Sequence, residues 1–370
     1  MTNHVTIHKG LEGIAVTDTQ LSLVDGEKGH LVYRGHWAKE LALKYTYEHV
    51  AFLLWHGRLP SDDELRAFRE QMVEARFLPA YLKAILDQLP KNMDMMSVLR
   101  TAVSALGDDS YGWPPTVEQA MAVTAKVPTI IAYRYRRLNG QEPLEPRRDL
   151  SHTANYLYML FGKEPSPAHV SALDAYLILT AEHGMNASTF SARVTTSTRS
   201  DLISAVTSAI GTMKGPLHGG APSEVDETLA AIGTKENAEP YLRSLLERGE
   251  RIMGFGHRVY KTRDPRAEAL AVVAKRVAGD DPWLDLAVHV EEVAIKLLAE
   301  YKPGRKLYTN VEFYAAAVLR AVGLPKELYT PTFTLSRMAG WTAHVLEQAA
   351  DNRLIRPQSV YTGPMPEGEA

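Results

Sequence analysis

Downstream of Asp281 the apolar residues Leu286, Val290, Val293 and Leu297 recur at spacings of four, three and four. Such spacing stacks them on one face of an α-helix, whereas a half-buried strand would need alternation. Asp281 and Pro282 supply the matching start signal, a side-chain cap followed by a proline in the first turn. The same signals return along the chain. Asp264 with Pro265 opens a helix through Leu270 and Val273, and Leu202, Val206, Ala209 and Met213 mark another that begins near Ser200. Val311, Ala315, Val318 and Val322 share a face of a further helix, which Gly323 and Pro325 end. Strand-like alternation is confined to residues 14–23 and 31–33, and no repeat of fixed period is present. The expectation is a mainly α, multi-helical fold with a short N-terminal β segment and short Gly/Pro turns. The closing TGPMPEGEA is expected to be a mobile tail.

At 370 residues the chain has room for roughly two domains and a sizeable core. Lys and Arg total 41 against 44 Asp and Glu, a net charge of −3, which argues against a dedicated nucleic-acid binder. Any anion must therefore be handled by local clusters. With no cysteine, disulfides and thiol catalysis are excluded. The start, MTNHVTIHKGLEG, lacks the charged-then-apolar pattern of a signal peptide, and the apolar run at residues 50–55 is too short to span a bilayer. A cytoplasmic protein without membrane contact is expected.

Three loop-like stretches have a composition that a core does not need. AEHGMNAST carries His183 and Asn186; KGPLHGGAPSEV places His218 among Pro216, Gly219 and Gly220. In GFGHRVYKTRDPRAEAL, His257 follows Gly254, Phe255 and Gly256, and Arg258, Lys261, Arg263 and Arg266 come within nine residues. Glycines beside a histidine let backbone N–H groups approach a ligand closely. Arg266 follows a first-turn proline, at a helix N-terminus where free N–H groups and the dipole favour anions. A guanidinium there can hold a carboxylate in a two-pronged fork. The third stretch is thus suited to a ligand bearing carboxylate or phosphate.

Each signal also has a plain structural reading. A loop histidine commonly just hydrogen-bonds or packs, and the basic cluster could be a solvated helix start. The Gly-Phe-Gly segment is only a partial dinucleotide fingerprint, without a third glycine or a clear preceding strand. His218, His257 and Glu312 are of metal-ligand type, but their gaps of 39 and 55 residues match no zinc spacing, and no metal is expected. Glu312 itself, within YTNVEFYAAAVLRAVGLP, fits a capping box with Thr309. It could be a helix cap, a catalytic carboxylate, or both.

Taken in order, the segments resemble the citrate synthase family over nearly the whole chain. The resemblance runs from GLEGIAVTDTQLSLVDGEKGHLVYRGH and AFLLWHGRLP, through GPLHGGAPSEV and GFGHRVYKTRDPRA, to FTLSRMAGWTAHVLEQAADNRLIRPQSVYTG. It is nearest the compact bacterial and archaeal members, which include 2-methylcitrate synthases. It implies a nearly all-α homodimer of two-domain subunits. Residues 1–217 and 318–370 would form a large helical domain, and residues 218–317 a small one that closes over the site. The implied enzyme is an acyltransferase of the citrate (Si)-synthase type. It condenses acetyl-CoA with oxaloacetate and hydrolyses the citryl thioester, with no metal or prosthetic group.

By the same resemblance His218 hydrogen-bonds the thioester carbonyl as it becomes an enol or enolate, and His257 polarises the oxaloacetate ketone. His183, Arg266 and Arg337 match oxaloacetate ligands, and Arg356 in LIRPQS matches an arginine donated across the dimer interface. Gly254, Phe255, Gly256, Arg258 and Lys261 lie where the family holds CoA. Glu312 falls at the catalytic carboxylate, where the family motif has aspartate. Alternatives are a 2-methylcitrate synthase using propionyl-CoA, or a non-catalytic relative that binds acyl-CoA or a dicarboxylate. A metal-dependent hydrolase would lose activity on chelation.

The chemistry fits such residues. A thioester methyl proton is weakly acidic, so a base needs a prepositioned donor at the developing oxyanion. A neutral imidazole suits that task better than an imidazolium. Closure that excludes water limits wasteful thioester hydrolysis.

Overall fold

The computed structural model describes residues 6–219, 221–257, 259–277 and 281–366, among which there are seventeen α-helices and one three-stranded sheet. The expected start signals act as read. Asp281 accepts the backbone N–H groups of Trp283 and Leu284 at 2.9 and 3.2 Å, opening the helix Pro282–Tyr301. Leu286, Val290 and Leu297 on that helix are buried. The helix expected to begin near Ser200 is Leu202–Met213, capped by Asp201 through Ser204 N at 2.9 Å, and Leu202, Val206, Ala209 and Met213 are all buried.

The N-terminal β expectation holds in part. Strands Ser22–Asp25, His30–Tyr33 and His36–Trp37 form an antiparallel sheet, with Ser22 opposite Tyr33 and Asp25 opposite His30. Residues 14–21 are not a strand. Ile14 and Val16 are exposed, and no neighbouring strand pairs with them, so their alternation has no buried face to fill. The hairpin turn instead grips another segment: Gly26 O accepts the Lys261 N–H at 2.8 Å. A Cβ on Gly26 would stand 1.9 Å from the carbonyl oxygen of Val259, so only glycine permits this approach.

The core centres on the helix Tyr329–Ala350, which packs against Ala187–Ser197, Val117–Leu138, Leu202–Met213, Tyr47–His56 and Pro167–Thr180. Gly340 lets this helix lie on the carbonyl of Ala181, where a Cβ would come within 2.1 Å. The helix Pro265–Val277 packs on Val311–Ala321 and on Pro167–Thr180, which brings the third motif beside Glu312. No helix among the described residues is long and apolar enough to cross a membrane. Of the expected tail, residues 362–366 contain no helix or strand and 367–370 lie outside the described residues.

Candidate active site

The site assembles from loops fixed by local hydrogen bonds. Residues 254–256 run antiparallel to 308–310: Gly256 N donates to Tyr308 O at 2.7 Å, and Asn310 N to Gly254 O at 2.9 Å. The Asn310 amide also donates to Gly256 O at 2.9 Å. This clip joins the loop bearing His257 to the start of the helix bearing Glu312. Gly254, at φ +91°, would put a Cβ 2.9 Å from that of Phe313, so both its conformation and its packing demand glycine.

The capping box expected for Glu312 is absent. Asn310 is the cap and accepts Glu312 N at 3.1 Å, while the Thr309 hydroxyl donates to Glu291 at 2.6 Å. The turn begins one residue later than the sequence pattern suggested, so Glu312 closes no capping box with Thr309. Its Oε2 is buried and has no hydrogen-bond partner among the described residues. Burial pushes the carboxyl above the usual carboxylate range, while Arg266 opposes that rise.

Two hollows meet at this carboxylate. The smaller, about 190 Å³, is lined by His183, His218, His257, Arg266, Glu312 and Arg337. The larger, about 850 Å³, has a mainly apolar wall that includes Leu217, Met253 and Val259. His218, His257 and Glu312 line both. A cleft of about 1110 Å³ elsewhere, beside the helix Asp62–Ala75, contains none of these residues. Two of its ion pairs, Arg148 with Glu74 and Arg69 with Glu48, close within the cleft itself. Convergent donors, not volume, therefore identify the site.

Arg337 is buried on the helix Tyr329–Ala350, donates from Nε to Thr180 O at 2.7 Å, and makes no ion pair among the described residues. A buried guanidinium without a carboxylate is costly unless an anion joins it. Arg266 is paired: its Nη2 lies 2.9 Å from Asp264 Oδ2 and its Nε 3.1 Å from Oδ1.

His257 Nδ1 accepts backbone N–H groups from Val259 at 2.9 Å and Tyr260 at 3.1 Å. Its ring proton therefore sits on Nε2, 3.2 Å from Arg266 Nη2. Two donors facing one volume leave a place for an acceptor, such as a ligand oxygen. Burial, followed by the Arg266 charge, depresses the His257 pKa to about 4. Burial and then Arg266 hold His183 well below the ordinary histidine range, and burial and then Arg337 lower His218. All three imidazoles are neutral at pH 7.

His218 Nε2 lies 2.8 Å from Ser188 Oγ, which accepts the Trp341 indole N–H at 3.0 Å and is also 2.8 Å from Asn186 Oδ1. The single hydroxyl proton can serve His218 or Asn186, not both. His183 Nε2 is 3.1 Å from the Tyr260 hydroxyl.

The remaining expected residues are dispersed. Gly254 and Gly256 border the wide hollow, but the Phe255 ring packs on Phe313 at 5.3 Å and lines neither hollow, because an aromatic ring is better accommodated against the core. Lys261 lines a separate recess of about 340 Å³ behind His257. Arg258 lies outside the described residues. Arg356 is exposed on the C-terminal segment and lines neither hollow. Sequence reading missed Ser188, Tyr260 and the double duty of Asp264. Asp264 was legible as a cap, but its grip on Arg266 depends on the fold.

A mainly helical enzyme with one enclosed carboxylate, three neutral histidines and two buried arginines is the class that fold and site define. The family model described as Citrate synthase, C-terminal domain matches residues 10–358. The citrate synthase of Haloferax volcanii is 43% identical over 96% of each chain. A 2-methylcitrate synthase of Mycobacterium tuberculosis is 42% identical, over 96% of this chain and 91% of that one. Among solved structures, the ternary complex of citrate synthase from Thermoplasma acidophilum with carboxymethyl coenzyme A and oxaloacetate superposes with a TM-score of 0.87. It is 30% identical, over 99% of this chain and 98% of that one. The chain belongs to the citrate synthase family.

Proposed function

We propose that the protein condenses acetyl-CoA with oxaloacetate and water to give citrate and CoA. The observation that carries this reading is the meeting of a wide apolar hollow and a small cationic one at His218, His257 and Glu312. The thioester occupies the first and the dicarboxylate the second. Arg266, Arg337 and His183 take the oxaloacetate carboxylates, and His257 Nε2–H polarises the ketone.

Glu312 removes a methyl proton from acetyl-CoA. The Ser188 hydroxyl, 2.8 Å from both acceptors, turns from Asn186 Oδ1 to His218 Nε2, which leaves the ring proton on Nδ1 to donate to the thioester carbonyl as it becomes the enol or enolate. The new carbanionic carbon attacks the polarised ketone carbon, and His257 stabilises the resulting alkoxide. Water then cleaves the citryl thioester, releasing citrate and CoA. No metal or prosthetic group is needed in this scheme, and the CoA thioester is itself a substrate. Gly254 and Gly256 border the CoA path. Residues 218–317 act as the small domain that closes on the rest. The protein works as a cytoplasmic homodimer in which Arg356 completes the partner's dicarboxylate site.

A second reading, propionyl-CoA to 2-methylcitrate, is favoured by the near-equal identity to a 2-methylcitrate synthase. One methylene in an apolar pocket discriminates by only about 1–3 kcal/mol. CoA release with oxaloacetate, measured side by side for the two thioesters, tests both readings. Release with both, faster with acetyl-CoA, is expected; release with neither would leave a binding protein.

A further inference from the structure

The loop that carries His183 is held from behind by a chain of buried polar groups. Glu182 is fully buried, and its Oε1 accepts the backbone N–H groups of His183 at 2.6 Å and Gly184 at 2.8 Å. Its Oε2 lies against Nε2 of the equally buried His344, on the helix Tyr329–Ala350. On the far side of that ring, Arg193 Nε donates to His344 Nδ1 at 3.0 Å. Arg193 also donates from Nη1 to Gln348 at 3.0 Å, and its Nη2 meets Glu347. Glu347 in turn accepts the Thr19 hydroxyl and the Gln20 N–H, each at 2.8 Å.

The donors and acceptors are in a fixed order. A guanidinium only donates, so His344 Nδ1 carries no proton and the ring proton lies on Nε2, facing Glu182. Glu182 can thus hold two consecutive amides on one oxygen while its other oxygen lies against the His344 ring nitrogen. Those amides belong to a tight turn in which Gly184 sits at φ +66°. Neither Glu182, His344 nor Arg193 lines the two hollows that meet at Glu312.

We propose that Glu182, His344 and Arg193 are positioning residues for oxaloacetate: they fix the backbone at His183 and Gly184, and with it the reach of the His183 ring into the small hollow. This rests on the reading of His183 as an oxaloacetate ligand. The ring's contact with Tyr260 comes from a different segment, so the backbone behind it must be set independently. Misplacement of a ligand group by about an ångström can cost about 100-fold in rate.

The test compares His344→Leu, which removes donor and acceptor, with His344→Gln, which keeps an N–H donor at similar reach to Glu182. Each is made alone and with His183→Ala, in the full-length protein. His344→Leu is expected to raise the KM for oxaloacetate about tenfold or more and leave the KM for acetyl-CoA unchanged. His344→Gln should recover most of that loss. With His183→Ala present, His344→Leu should add less than about twofold, because the group to be positioned is gone. If the leucine variant does not fold, His344→Asn, too short to reach Glu182, takes its place. Equal impairment by the leucine (or asparagine) and glutamine variants, or the same factor in both backgrounds, would overturn the proposal and leave a packing role. If His183→Ala alone leaves the KM for oxaloacetate unchanged, the reading of His183 fails and the proposal falls with it.

Discussion

Asp264 accepts the backbone N–H of Val311 at 3.2 Å through the same Oδ2 that holds Arg266 Nη2 at 2.9 Å. One carboxylate therefore sets the guanidinium of one helix start and the first turn of another, where Glu312 is the next residue. Asp264→Ala would leave a buried arginine uncompensated and a helix-start N–H unpaired. A loss of about 3–5 kcal/mol in urea unfolding is expected. Asp264→Asn keeps an acceptor and should lose less. A loss under about 1 kcal/mol in the alanine variant would show that this contact does not hold the two helices together.

Glu312→Gln, which keeps the shape but cannot take a proton, should lower turnover at least about 100-fold while oxaloacetate binding changes little. Because burial raises the Glu312 pKa, its folded form binds a proton more readily than the unfolded one. Its charge then costs stability as pH rises through that window, so the glutamine variant at pH 7 should melt at the same temperature or higher. The base must be ionised, so wild-type turnover should fall as pH drops through the raised pKa. Glu312→Asp should remain active, and its rate reports what the extra methylene does. Near-normal turnover in the glutamine variant would exclude the base role.

Ser188→Ala removes the hydroxyl 2.8 Å from His218 Nε2. In the proposed mechanism the ring then loses the partner that sets its proton on Nδ1. Turnover should fall by about 10–100-fold, less than for direct loss of an oxyanion donor, with the KM for oxaloacetate unchanged. Steady-state kinetics with both substrates varied decides this.

His257, neutral in the fold with a pKa of about 4, would titrate near 6.5 in the unfolded chain. Between those values the unfolded state binds the extra proton, so the stability tied to His257 is fully present above about pH 6.5 and is lost as pH falls towards 4. His183 and His218 shift in the same direction. Urea unfolding across pH 7 to 4.5 should show this decline. His257→Gln should flatten it by up to one proton, about 1.4 kcal/mol per pH unit. An unchanged slope would mean that His257 is not held neutral.

If Arg356 completes the partner's site in a homodimer as proposed, Arg356→Ala should weaken oxaloacetate binding without separating the subunits. Mixed with Arg266→Ala, it should regain activity, because each hybrid dimer holds one site with neither lesion. Verified hybrids that stay inactive would remove Arg356 from the partner's site.

The helical character of the chain was legible residue by residue. Asp281, Asp264 and the apolar spacings act within one or two turns, so the signal and its consequence lie in the same short stretch. The residue types of the site were legible too, because glycines beside a histidine and an arginine after a first-turn proline are unusual requirements for a core. The sequence could not say how Glu312 is used. Thr309 matched a capping box, yet its hydroxyl is drawn to Glu291, a residue of a different helix, and Asn310 takes the cap. Likewise, no local signal links Glu182 to His344 or Ser188 to His218, and alternation at residues 14–21 could not reveal that no strand would pair with it. Local periodicity determines which segments become helices. Which side chains share an enclosed, poorly solvated volume depends on how those helices pack, and that packing sets the protonation of Glu312 and the three histidines.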